Sequence, residues 1–216
     1  MIRSPLFEEI KGYFERAKDN DQIFLFVPYI KTKILEKLLD GIENKITIVT
    51  TWHINDLIGK SSELELYEFC KKRGIFLYIN NKIHLKVYSV NLDTAIISSG
   101  NISNNGLMPD MNFEAGILSG KFSNQDRLYL EKIKNNAEFV DEKVFQKYLE
   151  KYNECKEKAH PQNEFSDPII TPKKDDFLIS ALPMTRNVDD LIKGYVKINS
   201  NQKPSDNQEI ADCVYH

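Results

Sequence analysis

Residues 83–103 read IHLKVYSVNLDTAIISSGNIS, and this stretch decides how the middle of the chain folds. Polar and apolar residues alternate in 83–90, and residues 93–99 contain the apolar run at 95–97, so both segments are typical of β-strands. Asn91 lies between them at a suitable place for a turn. The stretch therefore predicts a β-hairpin that turns near Asn91.

The hairpin would gather polar side chains at the end opposite its turn. In strict alternation, His84, Lys86 and Tyr88 share one face of the first strand, although an ordinary strand with a solvent-facing side shows the same pattern. Ser99 and Asn101 follow at the end of the second strand, and α/β proteins place their ligands at such a rim of the sheet. We expect His84, Lys86, Ser99 and Asn101 to share one neighbourhood.

Upstream of the hairpin, the chain alternates between two kinds of segment. Apolar residues recur at helical spacing in three segments, and short apolar runs typical of buried strands stand between them. This alternation predicts the α/β class, as an α/β/α sandwich with a mixed, largely parallel sheet. The predicted helices cover 5–18, 31–40 and 62–73, and the predicted strands cover 22–30, 45–52 and 74–79.

Downstream of the hairpin, a strand at 112–118 and helices at 124–136 and 141–155 complete the pattern. Composition then changes, because HPQNEFSDPIITPKKDD (160–176) contains three prolines. Such a stretch is typical of a linker. The predicted boundaries are a main domain over 1–158, a linker over 159–176, a small segment over 177–198 and a disordered tail over 199–216.

Composition narrows the classes of function. The 216 residues carry a net charge of −3, so any binding to nucleic acid depends on a local basic patch. The cysteines Cys70, Cys155 and Cys213 are widely separated and have neither zinc-ligand nor disulfide-framework spacing. The N-terminal sequence lacks the apolar core of a signal peptide, and no apolar run approaches the ~18 residues of a membrane span. We predict a cytoplasmic protein without a membrane partner.

The side chains expected at the open end suit chemistry at phosphorus. A neutral imidazole such as that of His84 can attack phosphorus, and Lys86 and Asn101 can stabilise charge on phosphoryl oxygens. Glu114 interrupts the apolar strand at 112–118, and a buried carboxylate is costly unless it is paired. Glu114 is therefore either the acceptor that orients the imidazole or an edge-strand or surface residue.

The order of these residues resembles the signature of the phospholipase D superfamily. That family has H-x-K, a downstream Asp, and a strand ending in G-S-x-N-[LI]-[ST]. This chain has His84-Leu-Lys86, Asp93 and SSGNIS over 98–103. It departs from the pattern at Ser98, which replaces the first Gly, and in the six residues (87–92) before Asp93, where the family normally has four.

The segments NNGL and NFEAGIL, which follow, resemble the nuclease branch of that superfamily, in particular its metal-independent restriction-endonuclease type. The resemblance implies a catalytic domain over 1–158 and a phosphodiesterase, most consistently an endonuclease on DNA or RNA that acts through a phosphohistidine. It implies no metal and no other cofactor. The implied catalytic residues are His84, Lys86, Asn101, Glu114 and Ser99, with Asp93 and Ser103 as possible support.

The family's reaction uses a second histidine to protonate the leaving group, and this chain has no second H-x-K. Members with one motif place two copies face to face. The resemblance therefore implies a homodimer in which the partner's copy of His84 is the general acid. A twofold dimer is also the commonest oligomer geometry.

Basic residues outside the motif are weaker candidates for substrate binding. Lys71, Lys72 and Arg73 could contact a phosphate backbone, although cations are favoured at any helix C-terminus. Arg186 could reach the site from the C-terminal segment. The region beyond residue 158 is too short for a separate recognition domain, so we expect weak sequence specificity or a partner protein, as in a defence or repair system.

Two other functions are compatible with the same residues. The first is phospholipid hydrolysis or headgroup transfer, although the sequence has no exposed amphipathic basic helix for a membrane surface. The second is a non-catalytic phosphate-binding module, which the altered spacing before Asp93 would favour. Retention of both His84 and Lys86 argues against it.

Overall fold

The computed structural model describes residues 1–157 and Pro168. Apart from Pro168, the predicted linker lies outside these residues, as do the predicted C-terminal segment and tail and Arg186. The strands are β1 (Ile2–Arg3), β2 (Gln22–Phe26), β3 (Lys45–Thr50), β4 (Phe76–Ile79), β5 (Val87–Val90), β6 (Thr94–Ser98), β7 (Ala115–Leu118) and β8 (Glu138–Phe139). The helices are α1 (Phe7–Glu15), α2 (Thr32–Leu38), α3 (Ile54–Ile58), α4 (Glu65–Arg73), α5 (Asn104–Leu107), α6 (Asn124–Asn135) and α7 (Glu142–Glu157).

The described strands form one eight-stranded sheet in the order β1-β7-β6-β5-β2-β3-β4-β8. The predicted α/β class with a mixed sheet is confirmed, but the sheet is less parallel than predicted. Within the described part of the chain, β2–β3 and β3–β4 pair in parallel, whereas the other five neighbouring pairs are antiparallel. The reason is the connection after β4, where no crossover helix intervenes and the chain returns antiparallel.

One face of the sheet packs against five helices. Apolar side chains of α1, α2, α3, α4 and α7 form a continuous core with alternate residues of the central strands, such as Leu25, Ile48 and Leu77. The Trp52 indole meets the ring of Tyr148 on α7 edge to face, with centroids 5.3 Å apart. Each fully buried large apolar side chain contributes roughly 1.5–3 kcal/mol, so this core dominates the stability of the fold.

The opposite face carries a smaller core beneath α6. Phe26, Val49 and Val87, which alternate with residues of the first core, pack there with Leu130 of α6. Helices on both faces of a central sheet confirm the predicted α/β/α layering. Among the described helices, α6 is the long one on this side, and part of the second face is in contact with solvent, including Phe76 of β4.

The predicted hairpin is confirmed. Val87 of β5 lies opposite Ile97 of β6, and Val90 lies opposite Thr94. The turn begins at Asn91, whose φ of 56° is in the left-handed region that Asn tolerates better than most residues.

One boundary of the hairpin differs from the prediction. The first strand begins at Val87, so His84 lies in the preceding loop. Alternation therefore does not extend to His84. Tyr88 is fully buried in the large core. The alternation of His84, Lys86 and Tyr88 is therefore not explained by a strand whose polar side faces solvent.

No described helix is long and apolar enough to cross a membrane.

Candidate functional site

One edge of the sheet collects His84, Lys86, Ser99, Asn101 and Glu114. The carboxyl ends of β2, β3 and β4 meet the start of β5 there, because β5 pairs antiparallel with β2. The end of β6 and the start of β7 lie at the same edge for the same reason. Residues just before β5, after β6 and before β7 consequently share this edge, although they are separated in the sequence.

His84 belongs to the loop 80–86, which passes from β4 to β5 over the ends of β3 and β2. Hydrogen bonds at Asn80 and Asn81 hold the start of this loop. The backbone N–H of Asn80 donates to Thr50 O (2.9 Å), and that of Trp52 donates to Asn81 Oδ1 (2.8 Å). The Nε2 atom of His53 lies 3.1 Å from Asn81 O. The loop is anchored three residues before His84, whose own side chain is exposed.

Lys86 lies between the His84 loop and the hairpin. Its Nζ donates to the carbonyl of His84 at 3.1 Å, and its own carbonyl accepts the Ser98 N–H at 3.1 Å, which extends the hairpin pairing beyond Val87. The Tyr88 hydroxyl donates to Gly100 O at 2.8 Å. These bonds bring the His84–Lys86 segment and the end of β6 together, as the hairpin predicted.

Glu114 stands immediately before β7 and is half-buried. The Ser99 hydroxyl donates to its Oε2, and Asn112 Nδ2 donates to its Oε1 at 3.3 Å. Within the described chain, no hydrogen bond joins the carboxylate to the His84 ring. The negative charge of Glu114 reaches the buried Tyr88, whose pKa is raised first by burial and further by that carboxylate.

Asn101 is held by a close approach of two backbone segments. A Cβ on Gly106 would lie 2.4 Å from Asn101 O, and one on Gly100 would lie 2.4 Å from Gly106 O. Ser103 caps α5 by accepting from Gly106 N at 3.1 Å. The Oδ1 atom of Asn101 and the Oγ atom of Ser98 are buried without a hydrogen-bond partner in the described part of the chain. Buried polar atoms usually have one. The Ser98 hydroxyl can donate to a ligand, whereas Asn101 Oδ1 can only accept.

Asp93 lies at the opposite, turn end of the hairpin. Its Oδ1 accepts from Arg127 Nη2 at 2.6 Å, and Lys121 Nζ lies 3.8 Å from its Oδ2. With four residues (87–90) after Lys86, which is the family's spacing, the next residue is Asn91. Asn91 Nδ2 donates to Asp21 Oδ1 at 2.7 Å, so it ties the turn to the segment before β2.

Sequence reasoning placed Asn91 in the turn but missed its bond to Asp21, which is seventy residues away in the chain. The structure brings together His84, Lys86, Ser99 and Glu114 with the Asn101 loop. It leaves Asp93 at the far end of the hairpin.

The basic residues at the end of α4 are at the edge of the sheet opposite His84, because they precede the start of β4. Lys71 Nζ is 2.8 Å from Glu142 Oε2. The Arg73 guanidinium donates to Leu39 O (3.0 Å) and Ile42 O (2.7 Å). Lys72 is exposed. Two of these three cations have structural partners, and the fold does not bring the group to the candidate site.

The arrangement at the site edge suits an anionic tetrahedral group. An exposed imidazole, a lysine ammonium and the side-chain N–H₂ of Asn101 come from neighbouring strand ends, and such donors can stabilise negative charge on phosphoryl oxygens. The described residues contain no group of three or more His, Cys, Asp or Glu that could hold a metal ion. Lys86 supplies positive charge to the cluster.

No protein-family model matches the chain, and no curated protein matches its sequence. Several solved structures are similar. Nuc from Salmonella typhimurium, described as a phospholipase D family member, is 17% identical with a TM-score of 0.49 and covers 64% of this chain and 94% of its own. NucT from Helicobacter pylori is 12% identical with a TM-score of 0.46, over 62% and 89% of the two chains.

A phosphatidylserine synthase from Haemophilus influenzae is also similar, at 15% identity and a TM-score of 0.42, over 70% of this chain and 43% of its own. The family named for Nuc is the one that the motif around His84 resembles. All these identities are below 25% and all these TM-scores are below 0.5, so the functional proposal rests on the residues of this chain.

Proposed function

We propose that the chain is a phospholipase D-like phosphodiesterase that cleaves nucleic acid without a metal ion. The observation that carries the proposal is the meeting of His84 and Lys86 with the end of β6 at one edge of the sheet. Asn101 and the Ser99–Glu114 pair border the same place. The resemblance of the segments from SSGNIS to NFEAGIL to the nuclease branch favours a nucleic acid over a lipid.

In the proposed reaction, a ring nitrogen of His84 attacks the phosphorus of a phosphodiester and forms a P–N bond. The bond from phosphorus to the leaving oxygen breaks, and a general acid delivers a proton to that oxygen. Water then attacks the phosphohistidine, which releases a phosphomonoester and restores the free imidazole. Lys86 and the Asn101 amide stabilise the charge on the phosphoryl oxygens, while Glu114 holds Ser99 beside them.

A second copy of the chain supplies the general acid in this proposal. The described residues include two histidines, and the His53 ring lies against the backbone of Asn81 at 3.1 Å. His84 is exposed at the sheet edge, where the same residue of a twofold-related copy can face it. The composite site then contains two imidazoles and two Lys86 ammonium groups.

The proposal is tested by incubating the purified protein with single-stranded DNA, duplex DNA and RNA in excess EDTA, beside His84→Ala. We expect cleavage by the wild type and a loss of at least about 10⁴-fold in the variant, as for removal of other nucleophiles. Equal cleavage by both proteins would refute the role of His84. Release of headgroup from phospholipid vesicles, with no nucleic acid cleaved, would move the substrate to the lipid class.

The dimer has its own test. Sedimentation at micromolar concentration should show a dimer. Mixing wild type with excess His84→Ala should suppress wild-type activity by forming mixed dimers with one imidazole. Full activity of a sedimenting monomer would rule out the composite site and leave the nucleophile assignment standing.

A further inference from the structure

A groove of about 380 Å³ lies on the second face of the sheet, beside α6. Phe76 and Tyr78 of β4 line it, and Phe139 of β8 packs against both rings. The Phe139 centroid is 6.5 Å from that of Phe76 and 5.3 Å from that of Tyr78. Phe76 is 37% exposed and Phe139 is 45% exposed. We call this surface the aromatic groove.

Two lysines lie over the rings of the aromatic groove. Lys45 Nζ is 5.0 Å from the centroid of Phe76, and Lys134 Nζ is 5.0 Å from that of Tyr78. Neither ammonium forms an ion pair with a carboxylate of the described residues. Glu131 is the acidic residue in the lining. The groove therefore combines exposed ring surface with two cations that have no anionic partner among the described residues.

This combination matches what single-stranded nucleic acids offer. Bases stack on exposed aromatic rings, and phosphates pair with nearby cations, without any need for a particular base. A duplex hides its bases inside its stack and offers phosphates alone. The exposed rings thus favour a single strand, and the two ammonium groups supply the charge complementarity.

The groove is separate from the candidate catalytic edge but close enough for one nucleic acid strand to reach both. Phe76 is three residues before Ile79 at the end of β4, about 10 Å along the strand at the usual rise per residue. Three strand spacings, about 14 Å in all, separate β4 from β5. A single-stranded nucleic acid bound in the groove can therefore extend to the His84 edge over a few nucleotides.

We propose that the aromatic groove binds bases of single-stranded DNA or RNA, with Phe76 and Phe139 as stacking surfaces and Lys45 and Lys134 as phosphate contacts. Its value as a substrate-holding surface rests on the proposed nuclease function. The binding itself does not require cleavage.

Binding is measured by fluorescence anisotropy of a labelled oligothymidylate with His84→Ala protein in EDTA, so that no strand is cut. Phe76→Leu or Phe139→Leu is then added to the His84→Ala protein. Each keeps an apolar side chain but removes the ring, and each should weaken the affinity for the oligothymidylate about ten-fold. Adding Lys45→Gln or Lys134→Gln should each lower the salt dependence, log Kd against log salt, by about 0.7. Thermal unfolding of each variant checks that the fold is kept.

Two control positions, one aromatic and one basic, lie on α6 and are not among the residues that line the groove. Tyr129→Leu removes a ring that is 62% exposed, and Lys132→Gln removes an exposed lysine. Both should bind as the parent does. Equal weakening by Tyr129→Leu, or unchanged affinity in both Phe variants, would overturn the proposal. Duplex DNA that binds as tightly, through the lysines alone, would overturn it as well.

Hydrolysis of a small chromogenic phosphodiester by the wild-type protein separates the two proposals. Hydrolysis without ring-dependent binding would overturn the groove and leave the proposed function intact. Ring-dependent binding without hydrolysis would support the groove and count against the phosphodiesterase.

Discussion

The two ends of the β5–β6 hairpin use polar residues in opposite ways. At the turn end, Asn91 binds Asp21 at 2.7 Å, and Asp93 binds Arg127 at 2.6 Å. At the open end, the Lys86 ammonium has a backbone carbonyl as its bonded partner, and Asn101 Oδ1 is buried without one in the described chain. At the turn end, the side chains of Asn91 and Asp93 both have side-chain partners on neighbouring segments, although Arg127 Nε is also buried without a hydrogen-bond partner in the described chain. At the open end, the unpartnered atoms Ser98 Oγ and Asn101 Oδ1 lie beside the candidate site.

This difference indicates that the two ends of the β5–β6 hairpin have different roles, with the turn end stabilising the fold and the open end contributing to the proposed reaction. A satisfied polar group at the turn fixes the register of the hairpin, because a slip would break the bonds to neighbouring elements. An unsatisfied polar group at the open end lowers the stability of the fold, and a ligand that bonds to the group restores the lost hydrogen bond. Substitutions at the open end should therefore change activity, and those at the turn end should change stability.

After the loss expected for His84→Ala, the largest effect is expected at Lys86. Lys86→Gln keeps a donor for the His84 carbonyl but removes the charge, so we expect turnover of a phosphodiester to fall about 10²–10³-fold. The free energy of unfolding should change by less than about 0.5 kcal/mol, as at most exposed or half-exposed positions.

Lys82→Gln in the same loop is the matched control for Lys86→Gln, because Lys82 is exposed and lies outside the cluster. Its turnover should equal that of the wild type. Full activity of Lys86→Gln would remove the charge of Lys86 from the proposed reaction.

The next effect is at Gly106, which tests whether the position of Asn101 matters. An added Cβ would lie 2.6 Å from Asn101 N, so Gly106→Ala must displace the backbone that carries this side chain. We expect turnover to fall about 10²-fold, as for other displacements of about 1 Å. We also expect stability to fall by about 1–3 kcal/mol through overpacking.

Gly120→Ala provides the control, since no atom of the described chain lies within 4 Å of the position that its Cβ would take. A Gly106→Ala protein with reduced stability but normal turnover would show that Asn101 is not part of the site. Kinetic and thermal-unfolding measurements on the same preparations distinguish these outcomes.

Much of this comparison was predictable from the sequence, because it depends on local patterns. The turn near Asn91 and the convergence of His84 with Ser99 follow from two adjacent strands of suitable length. The hydrogen-bond partners were not predictable. Glu114 bonds to Ser99, and Asp93 pairs with Arg127 thirty-four residues later in the chain. Such pairs depend on tertiary register, which a single sequence does not encode locally.

The aromatic groove shows the same limit. Phe76 was predicted to lie in a strand, but Phe139 belongs to the two-residue strand β8, which is too short to leave a periodic pattern. The contact between these rings arises from the pairing of β8 with β4. The parallel content of the sheet was overestimated because strand type was inferred from the first three strands alone.

At the turn end, Arg127→Gln tests the structural half of the comparison. It removes the ion pair with Asp93, whose partners are partly exposed, at 40% and 36% of their side-chain surfaces. We expect a loss of about 1 kcal/mol or less in the free energy of unfolding, with unchanged turnover. A fall in turnover without loss of fold would connect the turn end to the chemistry and break the comparison.

The smallest effect is expected away from the hairpin, at Glu142 of α7. It tests whether a charged side chain that is hydrogen-bonded to its neighbours, as at the turn end, contributes to stability. Hydrogen bonds from Lys71, then from Gln146 and Tyr67, lower the pKa of Glu142 from 4.5 to about 2. A carboxyl group with a lowered pKa stabilises the fold above its unfolded pKa, and this contribution disappears as the pH falls through the folded value. The stability difference between wild type and Glu142→Gln should therefore be constant at pH 6–7 and shrink between about pH 4.5 and pH 2.

Denaturant unfolding at a series of pH values measures this difference. The Lys71 pKa is raised by the same bond, so the difference should also shrink in alkali, as Lys71 loses its proton. A difference that stays constant from pH 6 to pH 2.5 would mean that the pair contributes nothing in solution, as for many exposed ion pairs. The charged groups at the turn end would then need the same test before their bonds are taken as the source of its stability.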